Sequence, residues 1–157
     1  MKVDISDRVE INKLNKYEVK DIVSGLPLKV LVQEDIFAHK LVAITDRYNN
    51  KTKNKTVANR DLYDINFFFD QKWKFNKKIV KLRSGKKVKE YLVDLKNFVK
   101  KNVKEDKILE GIGALIDEKE RLWARDNLKK EVIRKLAIQI MAMEKRQKRN
   151  WKKICRS

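Results

Sequence analysis

The stretches QEDIFAHKLVAITDR (Gln33–Arg47) and RDLYDINFFF (Arg60–Phe69) decide the fold. In both, apolar residues return every three or four positions, which is the period of an α-helix with one buried face. The segment between them, Tyr48–Asn59, is polar and has no such period, so it predicts a loop. The sequence therefore predicts two consecutive helices that pack antiparallel across one connection.

The chain before these helices has the period of β-strands. Apolar and polar residues alternate at Val3–Ile5, Tyr17–Lys20 and Leu28–Val32, and the turn-forming run Gly25–Pro27 separates the last two segments. Because a few short strands are marginal without more sheet or a helical layer, residues 1–32 are predicted to be part of a larger sheet. We expect the chain to begin in the middle of a fold.

After Trp73 the apolar period is helical nearly to the end of the chain. The predicted helices are 73–82, 86–103, 105–115 and 117–148. The tail from Glu144 carries seven basic residues and one acidic residue, and it is predicted to fray. The predicted fold class is α+β and mostly α-helical: short β-strands at residues 1–32, followed by a helical bundle at residues 33–157.

The net charge of +18 is concentrated in the second half of the chain. Residues 1–70 carry a balance of +1 and residues 71–157 a balance of +17. Such a surface attracts polyanions, of which nucleic acid is the commonest, although lysines that only solvate helix faces give the same composition. Trp73, Trp123 and Trp151 allow the same two interpretations, as platforms for stacked bases or as core residues.

The single cysteine, Cys155, and the single histidine, His39, exclude a disulfide framework and a cysteine–histidine zinc site within one chain. The chain has no apolar run of about 18 residues, and its first residues do not resemble a signal peptide. These features predict a cytoplasmic protein that does not enter a membrane.

Lys40, Asp61 and Asp64 are the candidate chemical groups of the two helices. Lys40 shares a helix face with apolar residues, and Asp61 and Asp64 share a face of the next helix. Each has a plain structural interpretation, as a lysine whose stem covers apolar surface or as acids that favour a helix start. Antiparallel packing would place Lys40 opposite both acids, an arrangement suited to holding a phosphate chain and its metal ion.

The residues around Lys40 and Asp61 resemble the paired signature of the AbiEii/AbiGii toxin family of nucleotidyltransferases. In that family a glutamate-led helix carries the pattern A-E-K-L-x-A with an arginine after it, and the next helix carries R-D-x-Y-D. The runs that carry the resemblance here are Gln33–Ala43 with Arg47, and Arg60–Ile65.

A second part of the resemblance lies downstream. Ile108–Lys119, together with Trp123 and Asn127-Leu128, is similar to the helical carboxyl-terminal part of the family. The resemblance spans residues 28–140, to within a few positions at either end.

The resemblance implies a polymerase-β-like toxin that is paired with an antitoxin in a type IV toxin–antitoxin system. Such enzymes use Mg²⁺ and transfer a nucleoside monophosphate from an NTP to an acceptor, which we expect to be RNA such as tRNA. By position in the motifs, Lys40 and Asp61 are the implied catalytic residues. Arg60 and Asp64 support them, and Lys40 and Arg47 bind the nucleotide.

The sequence departs from the family pattern in two places. His39 stands where the family usually has glutamate, next to the ligand face but not on it. The family's glycine-serine turn and Asp-x-Asp/Glu metal pair are absent from this sequence, and Asp4 is the one candidate for a remaining metal-site carboxylate. We therefore expect a fragment, a split gene or a late start, inactive alone.

Three alternatives stay open at this point. A partner chain could supply the missing amino-terminal half of a split transferase. The chain could be a non-catalytic basic helical module that binds nucleic acid through residues 71–157. It could also be a remnant that binds an antitoxin.

Overall fold

The computed structural model describes residues 13–23, 25–49 and 57–154. This part of the chain forms a β-hairpin followed by helices, as the sequence predicts. The strands are Tyr17–Val23 (β1) and Leu26–Leu31 (β2). The α-helices are Gln33–Asn49 (α1), Asn59–Asp70 (α2), Lys77–Ser84 (α3), Val88–Asn102 (α4) and Glu118–Ile154 (α5), and a 3-10 turn at Glu105–Lys107 follows α4.

The hairpin is antiparallel, with Tyr17 opposite Leu31. Gly25 in its turn has a φ of 79°, in the left-handed region that glycine adopts without steric cost. Val19 and Leu28 remain exposed, so the hairpin lies at the surface and contributes little to the core. The strand predictions at 17–20 and 28–32 are confirmed, whereas Val3–Ile5 lies outside the described residues.

The core lies between the helices. Phe37 of α1 lies at its centre and meets three rings edge-on, with centroid distances of 5.3 Å to Phe68, 4.9 Å to Phe69 and 5.6 Å to Phe75. Edge-to-face pairs at these distances are favourable beyond the area that they bury. The two motif-bearing helices thus share one apolar interface, which fixes how their polar faces meet.

Helix α2 ends in a Schellman motif. The Trp73 N–H donates to the Phe68 carbonyl at 3.1 Å, and the Lys72 N–H donates to the Phe69 carbonyl at 3.0 Å. The Trp73 ring stacks on Phe68 at 4.6 Å, which supplies the apolar contact that accompanies this motif. Lys72 takes the left-handed position with a φ of 56°, where glycine is usual.

The long helix α5 packs one stripe against α2 and α4. The buried apolar members of the stripe are Ala124, Leu128, Val132, Leu136 and Ile140. Lys135 interrupts it at 8% exposure, and its Nζ lies 2.7 Å from Asn66 Oδ1 and 2.6 Å from Asp70 Oδ1. A buried ammonium is tolerated here because both groups on α2 compensate for its lost hydration.

Three details of the helix predictions are wrong. The helix predicted from residue 73 begins at Lys77, because the Asn76 side chain accepts from the Lys78 N–H at 3.0 Å and caps it. The helix predicted at 105–115 is a 3-10 turn followed by further turns, where Gly111 has a φ of 81°. The tail is not frayed from Glu144, because α5 continues to Ile154.

The three tryptophans differ in how deeply they are buried. Trp73 is partly buried and packs against the core, whereas Trp123 and Trp151 are exposed. The core interpretation therefore fits Trp73 alone. No helix of the described residues is long and apolar enough to cross a membrane.

Candidate active site

Helices α1 and α2 bring Lys40 against both carboxylates of the second motif. Lys40 Nζ lies 2.9 Å from Asp61 Oδ1 and 2.6 Å from Asp64 Oδ2. Asp61 and Asp64 are three residues apart, so the first two turns of α2 present them on one face. The predicted contact between the two helices is confirmed, while the chemical roles of these residues stay predictions.

Arg47 joins the same cluster from the last turn of α1. It follows Lys40 by seven residues and therefore shares its helix face, about 10 Å further along the axis. Its Nη1 lies 3.0 Å from Asp61 Oδ2, an ion pair without good hydrogen-bond alignment. Asp61 is thus held between two cations of one helix.

Burial differs sharply among the four side chains of this cluster, which we call the Lys40 cluster (Lys40, Arg47, Asp61 and Asp64). The Asp61 side chain is 0% exposed, those of Lys40 and Asp64 are each 28% exposed, and that of Arg47 is 57% exposed. Two positive and two negative charges cancel, so the cluster is electrically neutral as it stands. Solvent reaches it from the side of Arg47, Lys40 and Asp64.

The position of Asp61 follows from the start of α2. Ala58 at the N-cap has no side-chain oxygen to accept a hydrogen bond, and the Asp61 N–H donates to the Ala58 carbonyl at 2.9 Å. A carboxylate in the first turn of a helix is favoured by the helix dipole. The dipole and the two cations together allow a fully buried carboxylate at this place.

The ammonium of Lys40 is charged in this setting. Burial alone would lower its pKa, but hydrogen bonds to Asp64 and Asp61 and their negative charges outweigh burial and raise the pKa above its ordinary value. Lys40 can therefore act as a fixed positive charge and does not serve as a base near neutral pH.

Two predicted site residues do not join the Lys40 cluster in the structure. Arg60 is exposed and forms no ion pair with the described residues. Asp4 lies outside the described residues.

His39 belongs to a second polar network that the sequence analysis did not predict. Arg83 Nη1 lies 3.1 Å from His39 Nδ1 and donates to it, because a guanidinium has only donors. His39 Nε2 then carries the proton and donates to Asn15 Oδ1 at 2.8 Å. Arg83 also donates to Asp46 Oδ2 at 2.6 Å, so the network connects α1, α3 and the segment before β1.

No local pattern indicates the role of Arg83, because its partners lie 37 and 44 residues away along the chain.

The described residues do not form a site for the implied Mg²⁺. Among them, no group of three histidine, cysteine, aspartate or glutamate side chains is placed to hold a metal ion. The Asp61 and Asp64 carboxylates are already bonded to Lys40, and Asp61 also faces Arg47. Mg²⁺ prefers oxygen ligands in octahedral geometry, which these engaged carboxylates do not offer.

The chain matches a model of a known protein family. The model described as "Nucleotidyl transferase AbiEii toxin, Type IV TA system" matches residues 1–156. No curated protein and no solved structure matches the chain. The match covers nearly the whole chain, including both motifs of the Lys40 cluster. The chain therefore belongs to the AbiEii family of nucleotidyl transferase toxins of type IV toxin–antitoxin systems.

Proposed function

We propose that the Lys40 cluster binds the phosphates of an NTP and that the chain takes part in transferring a nucleoside monophosphate to an RNA acceptor, with tRNA as the expected class. One observation carries the proposal. A charged, partly exposed lysine is fixed between two carboxylates at the junction of the two family motifs. Family membership already implies an NTP substrate and an antitoxin partner.

Asp64 and Asp61 have different parts in this proposal. Asp64 is partly exposed, so an incoming phosphate can displace it from Lys40 Nζ at modest cost. Asp61 is fully buried and keeps Lys40 and Arg47 aligned toward the open side. Its burial favours a positioning role over direct contact with the acceptor, and Asp64 is the carboxylate that an acceptor hydroxyl can reach.

Lys40 and Arg47 would hold the triphosphate together. Electrostatic stabilisation by fixed cations is a large term in phosphoryl-type transfer, because charge shifts among phosphate oxygens in the transition state. Arg47 is the more exposed of the two and offers a planar donor fork suited to phosphate. Arg60 stays a predicted supporting residue that would have to act from outside the cluster.

The metal requirement leads to a proposal about ligands from outside this sequence. Enzymes that transfer nucleotidyl groups generally use divalent metal ions, and this sequence lacks the Asp-x-Asp pair that would hold them. We therefore expect that the chain binds NTP but does not complete transfer alone. Carboxylates from an amino-terminal half, in the same protein or in a partner chain, would complete the site, with Asp4 as the one local candidate.

A binding experiment tests the first step separately from the reaction. Titration of each NTP into the purified chain by calorimetry should give measurable binding, and Lys40→Ala should weaken it at least tenfold. Lys86→Ala removes an equal charge from an exposed pair with Asp94 and serves as the control. Equal NTP affinity in Lys40→Ala and the unmodified chain would refute the proposed site.

A transfer experiment tests the second step. Labelled NTP, Mg²⁺ and total tRNA should give no labelled RNA with the chain alone. Labelled RNA in that reaction, lost in Lys40→Ala, would show that the chain needs no further carboxylates and would overturn the proposal of a missing half while supporting the NTP site.

A further inference from the structure

A basic cleft lies apart from the Lys40 cluster. It has a volume of about 1000 Å³ and is bounded by the segment before β1, the first turn of α1, the connection from α2 to α3, and the later part of α5. Lys40, Arg47, Asp61 and Asp64 do not line it. Lys40 follows Asp35 by five residues, which turns it about 140° around the axis of α1, so the two sites face different directions.

The charge of the cleft is strongly one-sided. Seven basic side chains and two acidic side chains line it. The basic residues that matter most for the argument are Lys16, Lys72, Lys74, Lys77, Lys78 and Arg146. Across residues 13–23, 25–49 and 57–154, none of these six side chains forms an ion pair, in contrast to Lys40, Arg83 and Lys135.

One of the two acidic side chains of the cleft, Asp35, is already bonded to protein groups, and the other, Glu34, is exposed. Asp35 is fully buried, and its two oxygens accept from the Lys16 backbone N–H at 2.6 Å and from Asn76 Nδ2 at 2.7 Å. The Asn76 N–H also donates to the Glu34 carbonyl at 3.0 Å. These bonds hold three separate segments in place around the cleft, so the backbone that carries the basic side chains is fixed.

One of the cations is held in an unfavourable backbone conformation. Lys72 has a φ of 56° at the end of α2, whereas the corresponding position after α3 is Gly85 with a φ of 66°. A lysine in the left-handed region is less stable than glycine would be. A lysine at position 72 therefore costs some local stability, and this lysine lines the cleft.

Apolar and aromatic side chains also line the cleft, among them Phe69, Trp73, Phe75 and Met143. The three rings are partly exposed, and Trp73 stacks on Phe68 through one face. Cations beside partly exposed rings are suited to a polymer that carries phosphates along its backbone and flat bases beside it. An acidic protein surface would satisfy the cations but would not need a concave site that is also lined by rings. We propose that this cleft binds the phosphate backbone and bases of a single-stranded nucleic acid.

The proposal does not depend on NTP binding at the Lys40 cluster. The probe is a fluorescein-labelled oligouridine, and the readout is fluorescence anisotropy at several salt concentrations. Lys74→Ala/Lys77→Ala should weaken binding roughly tenfold and reduce the salt slope by about 1.4, since each phosphate contact in a single strand contributes about 0.7. Lys100→Ala/Lys101→Ala, with the same charge change on exposed α4 residues outside the cleft, should change affinity less than twofold.

Lys72→Gly separates ligand binding from fold stability. It should raise the midpoint of thermal unfolding and at the same time weaken oligouridine binding about threefold. A gain in stability with unchanged binding would remove Lys72 from the site. If the cleft pair and the α4 control pair lose affinity equally, binding is explained by net positive charge alone. Either result would count against the cleft as the binding site.

Two further binding experiments test the class of ligand and the location of the binding site. Polyglutamate of the same net charge, or a fully paired RNA duplex, should bind at least tenfold more weakly than oligouridine. Equal binding of either one would overturn the single-strand assignment. Lys86→Ala, at a position outside both the cleft and the Lys40 cluster, should leave oligouridine binding unchanged, and a loss equal to that of the cleft pair would overturn the proposed location.

Discussion

The Lys40 cluster and the basic cleft both gather cations, but they differ in what faces those cations. In the Lys40 cluster, two cations meet two carboxylates, one of them fully buried. In the cleft, the basic side chains have no carboxylate partners among the described residues, and its buried aspartate is bonded to amide groups. The charges of the cluster are therefore paired with one another within the folded chain, whereas the cations of the cleft are available to a ligand. Removing the buried carboxylate of the cluster should cost stability, whereas removing a cation of the cleft should cost ligand affinity and little stability.

The largest expected effect is in the Lys40 cluster. Asp61→Ala should lower the free energy of unfolding by about 3 kcal/mol, because it leaves the half-buried Lys40 and the first turn of α2 without their buried carboxylate. Asp64→Ala, at a partly exposed position, should cost about 1 kcal/mol or less. Urea unfolding at neutral pH measures both, and equal losses would contradict the division between the two acids.

An alkaline titration probes the packing behind the cluster. The Tyr91 hydroxyl donates to the Leu41 carbonyl at 2.8 Å, and burial raises the pKa of Tyr91 to about 12. The folded state thus keeps a proton that the unfolded chain loses above a pKa of about 10. Stability from this group is full below pH 10, falls as the pH rises through 12, and amounts to on the order of 2–3 kcal/mol.

Lys40 contributes in the same direction, because its pKa is also raised in the folded state. Tyr91→Phe should remove the Tyr91 part of the alkaline loss and leave the Lys40 part. The comparison is made by urea unfolding of both proteins at pH values between about 9 and 12. A variant with an unchanged alkaline slope would show that Tyr91 is not the titrating group.

A smaller effect is expected from exchanging the residue types at the two left-handed positions that follow α2 and α3, Lys72 and Gly85. Gly85→Lys should destabilise the fold by about 1 kcal/mol, because a side chain there is forced into the left-handed region although space around it is open. Lys72→Gly should stabilise it by a similar amount, about 1 kcal/mol. Thermal unfolding of both variants gives the result, and opposite signs are the expected outcome.

The smallest expected effect on stability is in the cleft. Lys74→Ala/Lys77→Ala should change the free energy of unfolding by less than about 0.5 kcal/mol, because both side chains are exposed and form no ion pair with the described residues. Urea unfolding beside the Asp61→Ala variant measures the contrast. A loss as large as that of Asp61→Ala would mean that the cleft lysines hold the fold, and the difference between the two regions would disappear.

Local patterns were sufficient for the helices and for the main contact of the site. The apolar period placed α1 and α2, and the antiparallel packing of the two helices placed Lys40 opposite Asp61. Side-chain caps and turns were harder to predict. Asn76 caps the start of α3, so the helix predicted from Trp73 begins only at Lys77, and Gly111 interrupts the helix predicted at 105–115.

Long-range groupings could not be predicted from one sequence. The basic cleft draws its residues from four separate segments, and Arg83 finds His39 and Asp46 across the fold. Such groupings depend on packing angles between helices, which the apolar period leaves undetermined. The predicted division at residue 32 and the roles of the Lys40 cluster residues stay predictions.

The buried ammonium on α5 has a consequence for how this helix docks. A long helix with an apolar stripe can slide by one turn along its neighbours and still bury similar side chains. Lys135 Nζ reaches Asn66 Oδ1 and Asp70 Oδ1 in only one position of α5 along α2. A shift of α5 by one turn would leave the buried ammonium without these partners. This lysine therefore selects a single docking position for α5 and so sets where Arg146, three turns further on, enters the cleft.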